Sequence, residues 1–165
     1  MICAVTLKDL NKIHQINRDE LGYDYPLDKS LNQLRKILND PNHHFLALYQ
    51  NDFDHKILGY VHAEIYEEIY ADPSLNVLAL AVSSDSQKSG IGTQLMGWLE
   101  DQALKNGLTN IRLNSGMSRT AAHNFYEHIG YKHIKDQKKF LKMVDCKINP
   151  NTLHKKAAET LMVID

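Results

Sequence analysis

The sequence predicts an α/β (α+β) domain of six to seven strands and about four helices. Three observations carry this prediction. Segments of period two alternate along the chain with segments of period 3.6. Glycine or proline marks most changes of period. The length, 165 residues with 43% hydrophobic and 24% charged, is that of one ordinary globular domain rather than a disordered chain.

The elements follow in order. Residues 2–6 read as a short first strand. Thr6 and Asp9 then suit a helix cap, with a carboxylate at the positive helix end. Leu10, Ile13, Ile16 and Leu21 mark one helical face, and Gly22 ends it. The stretch 22–26 carries Tyr23, Asp24, Tyr25 and Pro26 and cannot continue as helix. A second helix begins near Asp28, with Leu31, Leu34 and Leu38 on one face, and stops before Asp40 and Pro41. Residues 44–50 alternate as a strand, residues 51–54 turn, and residues 56–66 form a longer strand. Residues 71–74, with Pro73, predict a break. Residues 75–82 are a continuous apolar strand, expected to be covered on both faces.

A helix follows at once, with Ile91, Leu95, Leu99 and Ala103 at spacing four, and stops at Asn106 and Gly107. Residues 110–114 alternate as a strand. Ser118 or Arg119 opens a further helix whose buried face carries Ala122, Phe125, Tyr126 and Ile129, and Gly130 ends it. Residues 131–135 and 138–143 predict a final strand pair about Asp136 and Gln137. Asn149 and Pro150 set off a last stretch. There Leu153, Ala157 and Leu161 suit a terminal helix over residues 152–162. The domain is thus expected over residues 1–147, with an extension over 148–165. Packing on the domain, a homodimer contact and a frayed end are all open to that extension.

Composition removes several classes of function. With 19 Lys and Arg against 20 Asp and Glu, no broad cationic surface awaits a polyanion, so nucleic acid is not an expected partner. The longest strongly apolar run, residues 77–82, is far below a membrane span. The start of the chain lacks the long apolar run of a secretory leader before Lys8 and Asp9. Cys3 and Cys146 stand at opposite ends at no metal spacing, which predicts free thiols in a reducing, cytoplasmic compartment. His123, His128 and His133 recur at spacing five. That separates the helical pair by about 140° around the axis, so no metal site is expected from them.

The most informative segment is the strand, loop and helix from Leu75 to Ala103. A helix that starts directly after a buried strand leaves its first N–H groups unpaired and pointing outward. The helix end adds roughly half a positive charge. Such a site takes phosphate without many basic side chains. Gly90 and Gly92 would let the backbone approach an anion. The loop lacks the Gly-Lys-Ser/Thr of a Walker loop. Leu95 fills the third glycine position of a dinucleotide fingerprint, so neither of those motifs is present.

Gln87-x-x-Gly90-x-Gly92, placed directly after the strand ending in Val82, resembles the Gln/Arg-x-x-Gly-x-Gly/Ala signature of the GNAT superfamily of N-acetyltransferases. A second segment, Ala122-x-x-Phe125-Tyr126-x-x-x-Gly130-Tyr131, is similar to that family's helix beside the coenzyme thiol. The stretch 113–116, and Lys139, Phe140 and Lys142, also resemble bacterial small-molecule acetyltransferases. The resemblance implies a twisted, mixed, mostly antiparallel sheet and acetyl-CoA as co-substrate, with no metal. It implies a cradle for the pyrophosphate at Gln87, Lys88, Ser89, Gly90, Ile91 and Gly92. It also implies pairing of the pantetheine arm with Leu80, Ala81 and Val82, further coenzyme contact near Asn114, and a thioester-oxygen donor near Val82. Arg119 stands where the family often has Asn, so that coenzyme contact would be made by a cation.

Acetyl transfer to an amine needs a proton acceptor, an oxyanion donor and an acid for the leaving thiolate. Tyr126 is the acid that the resemblance implies, because a phenol is protonated at neutral pH. The strand 75–82 carries no acidic residue or histidine. The base is therefore sought on the preceding strand, where His62 and Glu64 share a face. Glu64 is the first candidate, with His62, Glu67, Glu68 and Asp24 as alternatives. Tyr23, Asp24 and Tyr25 suit a cationic acceptor. The expected activity is transfer to a primary amine of a small molecule. A protein acetyltransferase and a coenzyme-binding sensor or assembly module without transfer activity remain the alternatives.

Overall fold

In the computed structural model, which describes residues 1–144, helices α1 (Leu10–Ile16), α2 (Leu27–Leu38), α3 (Ile91–Lys105) and α4 (Thr120–His128) accompany one five-stranded sheet. The strands β1 (Ile2–Ala4), β2 (His44–Gln50), β3 (Ile57–Glu68), β4 (Ala71–Val82) and β5 (Asn110–Leu113) lie in sequence order. The first three junctions are antiparallel, and β4 to β5 is parallel. A parallel step needs a crossover, which α3 supplies. These elements belong to one unit, Met1–Tyr131.

Alternation along β2 and β3 divides the core in two. Phe45, Ala47, Val61 and Ala63 face α3, where Ile91, Leu95, Met96 and Leu99 complete one cluster. Leu48 and Tyr60 face the other way, onto Leu10, Ile13 and Ile16 of α1 and Leu34 of α2. Leu95, Met96 and Leu99 have no exposed surface. Burial of each such side chain stabilises the fold by about 1.5–3 kcal/mol. The sheet therefore has one face under α3 and one under the first two helices.

Local signals in the sequence set the first helical region. The Asp9 carboxylate accepts both the N–H and the hydroxyl of Thr6, each at 2.8 Å. A 3₁₀ turn (Leu7–Asp9) leads into α1, and a π turn (Asn17–Leu21) follows it. Gly22 ends the run in the left-handed region, at φ +77°.

Two expectations are corrected. The predicted break at residues 71–74 is strand: β4 begins at Ala71, and the chain reverses earlier, beyond Glu68. Proline is tolerated there because the register jumps between Tyr66 and Glu68, so Pro73 sits in an irregular part of the ladder. The final strand pair over 131–143 is absent, so among the described residues the sheet has five strands rather than six to seven. An alternating pattern becomes a strand only where a backbone partner completes its ladder. Residues 132–144 carry no helix or strand, and their apolar side chains, such as Phe140 and Met143, are exposed. The predicted terminal helix over 152–162 and Cys146 lie outside the described residues.

Candidate active site

The strand β4 has two regimes. From Ser74 to Val77 it pairs with β5 on one side and β3 on the other. Beyond Val77 the β5 ladder ends, but β4 runs on to Val82 against β3 alone. The change coincides with a bulge. Ala63 faces Val77 and His62 faces Ala79, so Leu78 is left over. A bulge bends a strand and ends its pairing on one side. Residues 78–82 therefore present an edge with no strand partner, of the kind to which an extended ligand adds like a strand, with the Val82 carbonyl already taken by Gln87. Meanwhile Leu80 and Val82 pack their side chains on the α3 cluster, and Ala81 is buried on the other face. Gly59 allows the tight approach of β3 to this end of β4: a Cβ there would lie 2.7 Å from the Ala81 carbonyl.

The loop after Val82 curls into α3 through a 3₁₀ turn (Ser84–Ser86). Lys88 and Gly90 both take the left-handed conformation, at φ +62° and +80°. Glycine adopts it freely, and lysine only at a cost of about 1–2 kcal/mol. The first helical bond is Gln94 N–H to Gly90 O, at 3.1 Å. The amides of Ile91, Gly92 and Thr93 precede it and stand at the positive end of the helix. Gly92 also matters for packing. Its Cβ would fall 3.1 Å from Cζ of Phe125, so α3 and α4 approach each other through this glycine. The Ser89 hydroxyl bonds within the loop to Ser86 O, while Lys88 is exposed.

That contact brings the second sequence motif to the first. Phe125 lies against Gly92, and the neighbouring Tyr126 ring stands 5.2 Å from it, centroid to centroid. Tyr126 is half-buried against Tyr131, at 6.0 Å. Burial raises its pKa above the ordinary phenol value, and the positive charge of Arg119 offsets this in part. Arg119 itself donates to the main-chain carbonyl of Glu20, at 3.2 Å. Asn114 is exposed just beyond the end of β5.

Glu20 is a site residue that sequence reasoning missed. Its carboxylate accepts the Ser84 N–H at 2.7 Å and the Gln87 side-chain amide at 3.3 Å. Gln87 also donates to Val82 O. Thus the π turn after α1 is tied to the loop after β4. No local sequence signal marks this, because the contact spans more than sixty positions.

The candidate bases sit on the sheet face that packs α1 and α2. Glu64 faces Asn76, whose amide donates to it at 3.3 Å. His62 faces Ala79, nearer the bulge. Burial, reinforced by His44, pushes the His62 pKa down to about 4, so the ring is neutral at pH 7. Glu68 is engaged by the Tyr66 and Tyr70 hydroxyls, while Glu67 is exposed. Tyr23, Asp24 and Tyr25 form an exposed loop, anchored by Tyr23 N–H to Asn17 O and by His14 to Tyr25 O. The strand register does not bring Glu64 to Val82. Six positions of β4 separate Asn76 from Val82, about 20 Å along an extended chain.

Comparison with known proteins shows the family of the chain. The sequence profile of the acetyltransferase (GNAT) family matches residues 10–131. The chain belongs to the GNAT family. It is an N-acetyltransferase, and acetyl-CoA is the family's co-substrate. A relative described as an uncharacterized N-acetyltransferase, YhdJ of Bacillus subtilis, is 27% identical over 107 residues, which span 65% of this chain and 73% of that protein. The aminoglycoside antibiotic 6'-N-acetyltransferase AAC(6')-Ig of Acinetobacter haemolyticus shares the fold. Its TM-score is 0.76 at 16% identity, over 88% of this chain and 99% of that one. The same TM-score relates this acetyltransferase to AAC(6')-Iy in complex with the bisubstrate analog CoA-S-monomethyl-acetylneamine, at 15% identity over 87% and 98% of the two chains. In addition, no helix among the described residues is long and apolar enough to cross a membrane.

Proposed function

We propose that this GNAT enzyme moves the acetyl group of acetyl-CoA directly onto a primary amine of a small, cationic molecule. The observation that carries the reading is the unpaired β4 edge over 78–82, continuous with the loop that opens α3. The amides of Ile91, Gly92 and Thr93, with Lys88 and Ser89 beside them, take the pyrophosphate. The pantetheine arm then lies along β4 past Val82, Ala81 and Leu80, pairing its amides with the free backbone groups. This direction carries the thioester toward the bulge at Leu78. Asn76, the partner of Glu64, is two positions further, about 7 Å along the strand. A donor at Val82 would leave Glu64 out of reach. The donor to the thioester oxygen is therefore an amide nearer the bulge, at Leu80 or beyond.

The chemistry then balances with residues of this chain. The amine nitrogen bonds to the carbonyl carbon, and the carbon–sulfur bond breaks. The amine proton passes to Glu64, through water where the distance requires it. The thiolate takes its proton from Tyr126, which burial keeps in the acid form. Asp24, flanked by Tyr23 and Tyr25, attracts a cationic acceptor. The aminoglycoside acetyltransferases that share the fold support a small-molecule amine. Cys3 forms no disulfide among the described residues, consistent with a reducing, cytoplasmic setting.

The test is thiol release from acetyl-CoA in the presence of a panel of primary amines and lysine-containing peptides. Amine-dependent release with di- and polyamines or aminosugars is expected. Release with peptides alone would move the acceptor to proteins. Tight acetyl-CoA binding without release for any amine would favour a sensor.

A further inference from the structure

Next to β4, the hairpin of β2 and β3 collects three histidines and a carboxylate. His44 and Glu64 are direct partners in the antiparallel ladder, so their side chains rise from the same face. His43 precedes β2 in a turn, which frees it from strand alternation. Its backbone is nevertheless pinned to both sides. The Ile65 N–H donates to His43 O at 2.9 Å, and the His43 N–H donates to Asp40 O at 3.2 Å. One ligating atom from each of His43, His44 and Glu64 lies within 4.8 Å of the other two. We infer that these three side chains form a binding site for a borderline divalent transition-metal ion of the zinc type.

Chemistry and surroundings support this. Two imidazoles and a carboxylate, with a fourth position left to water, are a common open zinc set. Nitrogen donors disfavour magnesium and calcium, which take oxygen. Ligand atoms about 2.0–2.2 Å from one tetrahedral ion stand about 3.4 Å apart, so the side chains must draw in from their present span of up to 4.8 Å to hold it. Each strand ligand also has a neighbour that orients it. The Asn76 amide donates to Glu64, and His62 Nε2 lies 3.3 Å from His44 Nδ1. Such neighbours fix the tautomer and direction of metal ligands. All three ligands are half-buried, so the site is shielded yet reachable. The ion would occupy the carboxylate assigned above to proton acceptance, so zinc should inhibit acetyl transfer. That consequence, unlike the site, rests on the proposed role of Glu64.

The full chain, stripped with a chelator, is titrated with zinc by calorimetry and with cobalt(II) by visible absorption. One equivalent of each should bind, with the intense bands of tetrahedral cobalt, while magnesium and calcium give no heat. His44→Ala and Glu64→Gln should abolish the bands. Asn76→Ala should weaken zinc by about 10- to 100-fold. His43→Asn, placed in a turn, tests the site without altering a strand, and circular dichroism checks that each variant is folded. No binding by the folded wild type, or unchanged binding in His43→Asn combined with Glu64→Gln, would overturn the site. Thiol release is then measured with and without zinc. Inhibition reversed by chelator is expected. Zinc bound at this site with an unchanged rate would overturn the inhibition and Glu64 as the proton acceptor, and leave the site standing.

Discussion

In the proposed reaction Tyr126 joins sequence to chemistry most directly. Its ring is held by Phe125 and Tyr131, and burial raises its pKa. A raised phenol pKa means that the acid form persists to higher pH, so any alkaline limb due to Tyr126 lies above about pH 10. Tyr126→Phe should lower turnover by roughly 10²-fold while acetyl-CoA affinity, read by calorimetry, changes little. Unchanged turnover would remove Tyr126 from the reaction. The sequence singles this residue out because it lies inside a motif with fixed spacing. Gly92 was legible only in part. Its place in the motif suggested anion approach, whereas its absent Cβ makes room for Phe125. A sequence marks a glycine but does not say which neighbour would collide. The histidines and Glu64 were harder still. Pairing of His44 with Glu64 depends on the hairpin register, and one residue more or less in the turn would put them on opposite faces.

At the scale of elements, the loop after β4 is held from outside itself. Glu20 closes the π turn onto Ser84 and Gln87, and Arg119 reaches the same turn from the start of α4. On the proposed reading the loop is thus shaped before the coenzyme arrives, which reduces the ordering cost of binding. Glu20→Ala should raise KM for acetyl-CoA by about five- to tenfold, the worth of about one hydrogen bond of order 1 kcal/mol. Steady-state kinetics at saturating amine should show a smaller effect on kcat. An unchanged KM would make the contact incidental. Nearly every helix and strand through α4 was legible from periodicity, caps and glycine stops. The misreadings were at Pro73, where a bulge hides the usual meaning of proline, and at residues 131–143. There the alternation is real, but a strand also needs a partner that no local pattern supplies.

For the whole molecule, the face under α1 and α2 carries both core packing and the proposed proton acceptor. Tyr60 is buried there, bonds to Asn17, and has its pKa raised to about 12, chiefly by burial. The sign is fixed by linkage. The unfolded phenol ionises near pH 10 and the folded one near 12, so the stabilisation is complete below about pH 10 and falls as pH rises between the two. Urea unfolding should therefore show stability declining by at most about 1.4 kcal/mol per pH unit from this residue across that window. Tyr60→Phe should flatten the decline. A slope unchanged in that variant would assign the effect to other groups. The central claim for the molecule is that the chain leaves one edge of β4 unpaired so that acetyl-CoA can complete it. Amide hydrogen exchange with and without acetyl-CoA tests this most directly. Slowed exchange at residues 78–82 and 91–93, with little change in β1 and β2, is the predicted result. Saturating acetyl-CoA that leaves both segments unprotected would contradict it.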